Sequence, residues 1–226
     1  MSRAAVAAGL LELAAARGLR LDPVAARHMA LHLELLDRWN PTAKLTSLRS
    51  RSAILERHFL ESLEGLRFLP AAGGAIRHLI DVGSGGGFPG LPLLMARPDL
   101  RGTLLEPASR KRAFLKEVVR EAGLGERVRV LSDRMGRPED VARHAPIDVL
   151  TLRAVAGSAG LLEAIAGALR PGGRLLLFLG QAGARAVRAA LPGALREIAC
   201  HPLPGRSASP LVVLGTASDP TGSPEP

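Results

Sequence analysis

The 226-residue chain has a single cysteine, Cys200, no tyrosine, one tryptophan and five phenylalanines. One cysteine excludes an internal disulfide and a thiolate metal cluster, and it fits a reducing, cytoplasmic setting. With so few rings, a nucleic-acid surface built on stacked aromatics is not expected. No stretch of about eighteen or more uncharged apolar residues occurs, so no membrane span is expected either. The opening MSRAAVAAGLLELAAARG carries Glu12 within its apolar part and lacks a short apolar core with a cleavage site, which argues against a signal peptide.

Apolar residues, in contrast, make up 47% of the chain, with 25 glycines and 17 prolines, enough for a substantial core and one small accessory element. Thirty Lys and Arg face 21 Asp and Glu, a formal charge of +9. Such an excess is the footprint of an anionic partner. Only Lys44, Lys111 and Lys116 are lysines, so the basic side is almost all arginine.

The first seventy residues read as helices. Ser2 can cap a helix carrying Val6, Leu10 and Leu13. Asp22-Pro23 is a cap followed by proline at the first helical position, opening a helix with Val24, Leu31 and Leu35 on one face. Residues 51–67 repeat the pattern with Leu55, Phe59, Leu63 and Leu66, backed by Glu56, Arg57, Glu61 and Glu64 on the polar face. Residues 1–70 therefore form a helical N-terminal cap, and 70–75 a linker by composition. From 76 to 216, short apolar runs alternate with amphipathic helices, the pattern of a doubly wound α/β domain. Strands are expected at 78–82, 102–106, 127–131, 147–152 and 174–179, with helices near 89–97, 108–123, 137–143, 158–169 and 181–190. Two further runs, 195–201 and 210–215, are joined by too little chain for a crossover helix and should pair antiparallel. Residues 217–226 read as a flexible tail.

The segment 78–92 is the most informative. An apolar strand runs into Gly83, Gly85, Gly86, Gly87 and Gly90, which permit a sharp turn and the close approach of a nucleotide-like ligand to backbone amides. Gly85, Gly87 and Gly90 satisfy the dinucleotide pattern. Asp81, Gly83, Gly85 and Gly87 satisfy the acidic-x-Gly-x-Gly-x-Gly pattern of S-adenosylmethionine enzymes. Glu106 ends the next strand, nineteen residues beyond Gly87, where a carboxylate can accept hydrogen bonds from both ribose hydroxyls of an adenosine. Phe88 and Pro89 fill the first turn, where a pyrophosphate would need to sit, and together with the C-terminal hairpin they favour a methyl donor over nicotinamide.

Taken together, HFLESLEGL at 58–66, DVGSGGGFPGLPL at 81–93, LLEPASRKRAFL at 104–115, the Arg153-Ala-Val-Ala stretch, and Trp39-Asn40 ahead of Leu45-Thr46-Ser47 resemble the small-subunit ribosomal RNA methyltransferase G family, also called glucose-inhibited division protein B. The resemblance covers most of residues 20 to 182. It implies a Rossmann-like methyltransferase fold, S-adenosylmethionine as cofactor, and methylation of guanine N7 in a 16S rRNA loop near the decoding centre. It places cofactor contacts on Gly83, Phe88, Met135, Gly136 and Arg153, with Glu106 at the ribose. Three positions depart from the family pattern. Lys44 stands where Asn is usual before Leu-Thr, Arg134-Met135-Gly136 where Arg-x-Glu is usual, and Leu179 where a Lys is common.

Guanine N7 bears a lone pair and no proton, so methyl transfer needs in-line approach and no general base. No Ser/His/Asp or Cys/His arrangement and no metal is required. His28 and His32, four apart on a helix, read as an ordinary partly exposed pair. Arg153, at the end of the fourth strand, is the candidate to touch the chemistry, by orienting the base or anchoring the cofactor and not by moving a proton. Duplex RNA hides N7, so the target must be unpaired. Two basic stretches can hold its phosphates: Arg38, Lys44, Arg49 and Arg51, in a segment with no acid, and Arg110, Lys111 and Arg112 at a helix start, where cations oppose the helix dipole unless an anion is bound. The expected partner is 16S rRNA or the small ribosomal subunit, with neither DNA nor membrane, and the chain is expected to be a monomer. Two other readings stay open: an RNA- or ribosome-binding protein with a retained pocket but little turnover, motivated by Gly136 and Leu179, and an NAD-linked oxidoreductase.

Overall fold

The structure, a computed structural model, describes residues 2–69, 77–153, 158–203 and 209–218. The 70–75 linker, most of the 217–226 tail and the residues after Arg153 in the Arg153-Ala-Val-Ala stretch lie outside the described residues. Chain order runs α1 (Arg3–Ala15), α2 (Pro23–Ala43) and α3 (Arg51–Ile54), a π-helical stretch (Leu55–Leu60), α4 (Glu61–Leu63) and a 3-10 turn (Glu64–Phe68). The sheet domain follows with β1 (Arg77–Val82), α5 (Gly90–Ala96), β2 (Leu100–Leu105), α6 (Ser109–Glu121), β3 (Val128–Leu131), α7 (Pro138–Ala142) and β4 (Ile147–Arg153). It ends with α8 (Ala159–Ala168), β5 (Leu169–Phe178), α9 (Gln181–Ala189), β6 (Leu195–Pro202) and β7 (Pro210–Thr216).

The seven strands form one mixed sheet in the order β3-β2-β1-β4-β5-β7-β6. β1 to β5 are parallel, and β7 enters antiparallel between β5 and β6. The expected C-terminal hairpin is therefore present. The central strands are apolar on both faces because helices cover both. β5 starts at Leu169, earlier than the expected 174, because Leu169 pairs with Ile147 before a register shift.

Capping at the N-terminal end follows the expected chemistry. Ser2 accepts from the Ala5 amide at 3.3 Å, and Asp22 accepts from the Val24 amide at 2.6 Å ahead of Pro23. The cap helices share a continuous core with one face of the sheet, running from Val6, Leu10 and Met29 through Phe59 and Phe114 to Leu79 and Val213. Three expected faces need correction. Leu13 and Val24 are exposed, whereas Glu61 and Glu64, expected on the polar face, are 2% and 3% exposed. Residues 61–65 are buried on every side, Leu63 and Ser62 along with the two acids, so this stretch has no solvent face for Glu61 and Glu64 to take. Both acids find partners: Glu61 meets Arg153 at 2.7 Å, 92 residues on, while Glu64 meets Arg67 three residues on at 2.8 Å and lies 2.9 Å from His201. Among the described residues, no helix is long and apolar enough to cross a membrane.

Candidate active site

Open α/β sheets bind ligands beyond the C-terminal ends of their strands, where neighbouring connections diverge. Here that point lies between β1 and β4, and the loop after β1 carries the glycines. Gly83, Gly85 and Gly87 have φ of +70°, +52° and +88°, a region costly for any residue with a Cβ. No heavy atom lies within 4 Å of where a Cβ at Gly83 would stand, so the backbone there is bare toward open space. The loop is tied to β2, because the amides of Gly83 and Ser84 both donate to the Leu105 carbonyl at 2.9 and 3.0 Å. Gly90 serves packing instead: a Cβ on it would stand 2.7 Å from the Asp81 carboxylate.

Asp81 is 1% exposed. Its Oδ1 accepts from the Thr151 hydroxyl at 2.7 Å, which joins β1 to β4 beneath the loop. Burial raises its pKa above the ordinary carboxylate value, opposed by the Thr151 and Ser84 hydroxyls. Glu106, 5% exposed at the end of β2, accepts from the Gly85 amide at 2.9 Å through Oε2 and from the Ala108 amide at 2.8 Å through Oε1. Each oxygen keeps further lone-pair capacity. The bare glycine backbone beside an acceptor-only carboxylate fits an adenosyl ligand with hydroxyls to donate.

Phe88 follows the glycines and stacks against two imidazoles, His32 at 4.8 Å and His58 at 4.6 Å between ring centroids, with Phe59 edge-on at 5.0 Å. His32 is not partly exposed, as expected, but fully buried. Its Nε2 pairs with the Gly86 carbonyl at 2.8 Å while Nδ1 has no partner. Burial lowers its pKa to about 4, against the pull of the Gly86 carbonyl. His58 is lowered to about 4 by burial and then by the Arg153 charge. Neither histidine was singled out for the site by sequence reasoning. The clue was present only as their spacing within two cap helices, which says nothing about a loop more than twenty residues downstream.

Arg153 at the end of β4 is engaged by the cap. One terminal nitrogen donates to Glu61 Oε2 at 2.7 Å and to the Arg57 carbonyl at 3.3 Å, and the guanidinium lies 5.0 Å from the centre of the Phe178 ring. Burial raises the Glu61 pKa and the Arg153 charge opposes it. Met135 is buried against the second face of the sheet, and the exposed Gly136 donates its amide to Asp140 at 3.1 Å.

The basic residues divide sharply. Arg38 pairs with Glu117 at 3.4 Å and Glu34 at 3.7 Å, and Arg51 with Asp37 at 2.7 Å. The acid-free segment is thus partly neutralised by acids brought from outside it. Lys44 and Arg49 have no ion-pair partner among the described residues. At the start of α6, Arg110 is exposed and Lys111 half-buried, whereas Arg112 turns back to donate to the carbonyls of Glu106 and Pro107. Arg112 therefore also fastens the Glu106 loop.

Comparison with known proteins agrees with this geometry. Residues 25–191 match the family described as rRNA small subunit methyltransferase G. The ribosomal RNA small subunit methyltransferase G of Neisseria meningitidis serogroup A is 40% identical over 159 residues, covering 70% of this chain and 72% of that protein. Its counterpart from Aromatoleum aromaticum is 36% identical over 207 residues, covering 90% and 92%. Among solved structures, a glycopeptide N-methyltransferase complexed with S-adenosyl-L-methionine shares the fold, with a TM-score of 0.58 at 16% identity over 70% of this chain and 94% of that one. The match to this methyltransferase family replaces the oxidoreductase alternative. On the extent of the family match and the coverage of these relatives, the chain belongs to the rRNA small subunit methyltransferase G family.

Proposed function

We propose that this chain transfers a methyl group from S-adenosylmethionine to N7 of a guanine in an unpaired loop of 16S ribosomal RNA. The observation that carries the reading is the bare glycine backbone at Gly83 beside the buried Glu106 carboxylate, at the strand ends of a methyltransferase sheet. When bound, the cofactor supplies an electrophilic methyl on a sulfonium.

The protein's own part is placement and charge. Gly83, Gly85 and Gly87 present backbone without side chains to the ligand, Glu106 takes the ribose hydroxyls, and Phe88, Met135 and Gly136 complete the cradle. Asp81 lies beneath the loop, closed off by Thr151 and Gly90, and acts as its support. No residue needs to carry a proton, because N7 has none to lose. His32 and His58, neutral near pH 7 by their lowered pKa values, serve as apolar walls for Phe88. Arg153 faces the crevice as an orienting group. A guanidinium that bonded both O6 and N7 would block the reaction, and its engagement with Glu61 restrains it from doing so.

We assign RNA contact to the cap, 1–70, with Arg110 and Lys111, and methyl transfer to 76–216. The enzyme works as a cytoplasmic monomer on 16S rRNA or the small subunit. Mass analysis of 16S rRNA from cells with and without the gene tests this: the expected outcome is loss of one methyl from one guanine, and an unchanged methylation pattern contradicts it.

A further inference from the structure

A cleft of about 630 Å³ opens between the end of α2 and the loop that follows it, a volume in the range of small-molecule sites. Leu36, Pro41 and Ile54 give it apolar wall, and Lys44, Ser47 and Arg49 line the rest. The loop is built rigidly. The Asn40 side chain accepts from the Leu45 and Thr46 amides at 2.8 and 2.9 Å and donates to the Thr46 carbonyl at 3.1 Å. Thr46 Oγ1 accepts from the Leu48 amide at 3.1 Å and bonds His58 Nε2 at 2.8 Å. Asn40 and Thr46 are therefore occupied in shaping the cleft, and Lys44, Ser47 and Arg49 supply what it offers a ligand.

The charges sort in the same way. Asp37, the acid in the lining, is neutralised by Arg51 at 2.7 Å. Of the four cations in this segment, the two without an ion-pair partner among the described residues, Lys44 and Arg49, are the two that line the cleft. Lys44 is also the one described residue other than glycine with a left-handed backbone, φ 50°. Glycine or asparagine suits that conformation better, so a lysine there places charge where backbone preference does not ask for it. Two unpaired cations, a hydroxyl and an apolar wall suit a phosphodiester with its sugar and base.

We propose that this cleft holds one nucleotide of single-stranded RNA flanking the target base, with its phosphate on Lys44 and Arg49. This rests on the RNA-methylating reading above. One layer of chain separates the cleft from the glycine loop. The Leu45 carbonyl stands 3.3 Å from where a Cβ at Gly86 would be, and His58 joins Thr46 to Phe88. A nucleotide held here lies beside the loop segment that packs against the glycine loop.

The test is the salt dependence of affinity for a fluorescein-labelled single-stranded RNA oligonucleotide, measured by anisotropy on the full chain. Lys44→Asn, Arg49→Gln and the double variant are compared with Arg38→Gln and Arg51→Gln, and cofactor affinity is followed by calorimetry. Lys44→Asn suits the left-handed backbone, so its melting temperature is expected to hold or rise. Each cleft substitution is expected to reduce the slope of log affinity against log salt by about one. The double variant is expected to bind RNA about 10- to 100-fold more weakly near ~0.1 M salt, with cofactor affinity unchanged. The paired arginines change the slope by less than half as much. Unchanged slopes in the double variant, equal losses from the paired arginines, or a parallel fall in cofactor affinity each overturn the proposal. If the unaltered chain binds no RNA, the function reading falls and the cleft with it. Flat variants against an unaltered chain that does bind RNA overturn the cleft alone.

Discussion

Glu106 and Glu61 are both buried acids, and they differ in what holds them. Glu106 is met by two backbone amides, so its removal leaves N–H groups beside the crevice that water can reach. Glu106→Ala is expected to weaken S-adenosylmethionine binding by about 1–3 kcal/mol, through lost charge-assisted hydrogen bonds, without loss of fold. Calorimetry reads the first and circular dichroism the second, and unchanged affinity would place the ribose elsewhere. Glu61 balances Arg153, whose side chain is 21% exposed. Glu61→Ala leaves that charge partly buried and unpaired, and is expected to destabilise by the lower end of the about 3–5 kcal/mol typical of a broken buried pair. Denaturant unfolding tests this, and a loss within error of zero contradicts the pairing. Glu106 was legible in the sequence because strand, glycine loop and second strand end are set by local spacing. Glu61 was not, since its partner lies 92 residues away and the 61–65 stretch is buried on every side, where helical periodicity assigns a solvent face.

At the level of elements, the seam between α2, the π stretch and the glycine loop gathers three of the protein's five phenylalanines and, at its edge, its one tryptophan. Phe59, Phe88 and Phe114 surround His32, and Trp39 donates to Glu117 on α6 at 2.8 Å. Their scarcity gave no hint that they fasten the cap to the cofactor loop. This seam is acid-sensitive. His32 and His58 titrate near 4 when folded, against 6.5 for the free group, so the unfolded chain binds protons first as pH falls. Their contribution is complete above about pH 6.5 and drains away toward pH 4, by roughly 3 kcal/mol for His32. The raised carboxyls of Asp81 and Glu61 work in the opposite sense, favouring the fold as they protonate, and soften the acid end. Unfolding free energy measured between pH 7 and 4 is expected to fall with acidity, and less steeply in His32→Phe. A flat profile in the unaltered chain contradicts the buried neutral imidazoles. Strand and helix existence was readable throughout, from β1 to the closing hairpin, while boundaries such as the start of β5 depended on a cross-strand register that no local pattern encodes.

For the whole molecule, the net charge of +9 is partly met by surface ion pairs such as Arg38–Glu117 and Arg188–Glu197. RNA affinity is expected to fall steeply with salt but with a slope well below what the total charge would give, because only cations that sit on phosphates release counterions. The order β3-β2-β1-β4-β5-β7-β6 sets the glycine loop, Glu106 and Arg153 at one edge, and the cap closes over that edge through Phe88, Arg153 and Glu64. The change from helices to alternating strands and helices was legible from the change in hydrophobic period near residue 76. That both parts share one core was not, because cap residues such as Met29 and Phe59 meet the sheet only in three dimensions. The central claim is that the cradle at Gly83 and Glu106 delivers a methyl group to guanine N7. Its most direct test is incubation of the protein with 16S rRNA or small subunits and S-adenosylmethionine labelled on the methyl, followed by digestion of the RNA to nucleosides. The label is expected to appear in 7-methylguanosine alone, and protein that binds the cofactor yet leaves the RNA unlabelled, or labels another nucleoside, contradicts the account.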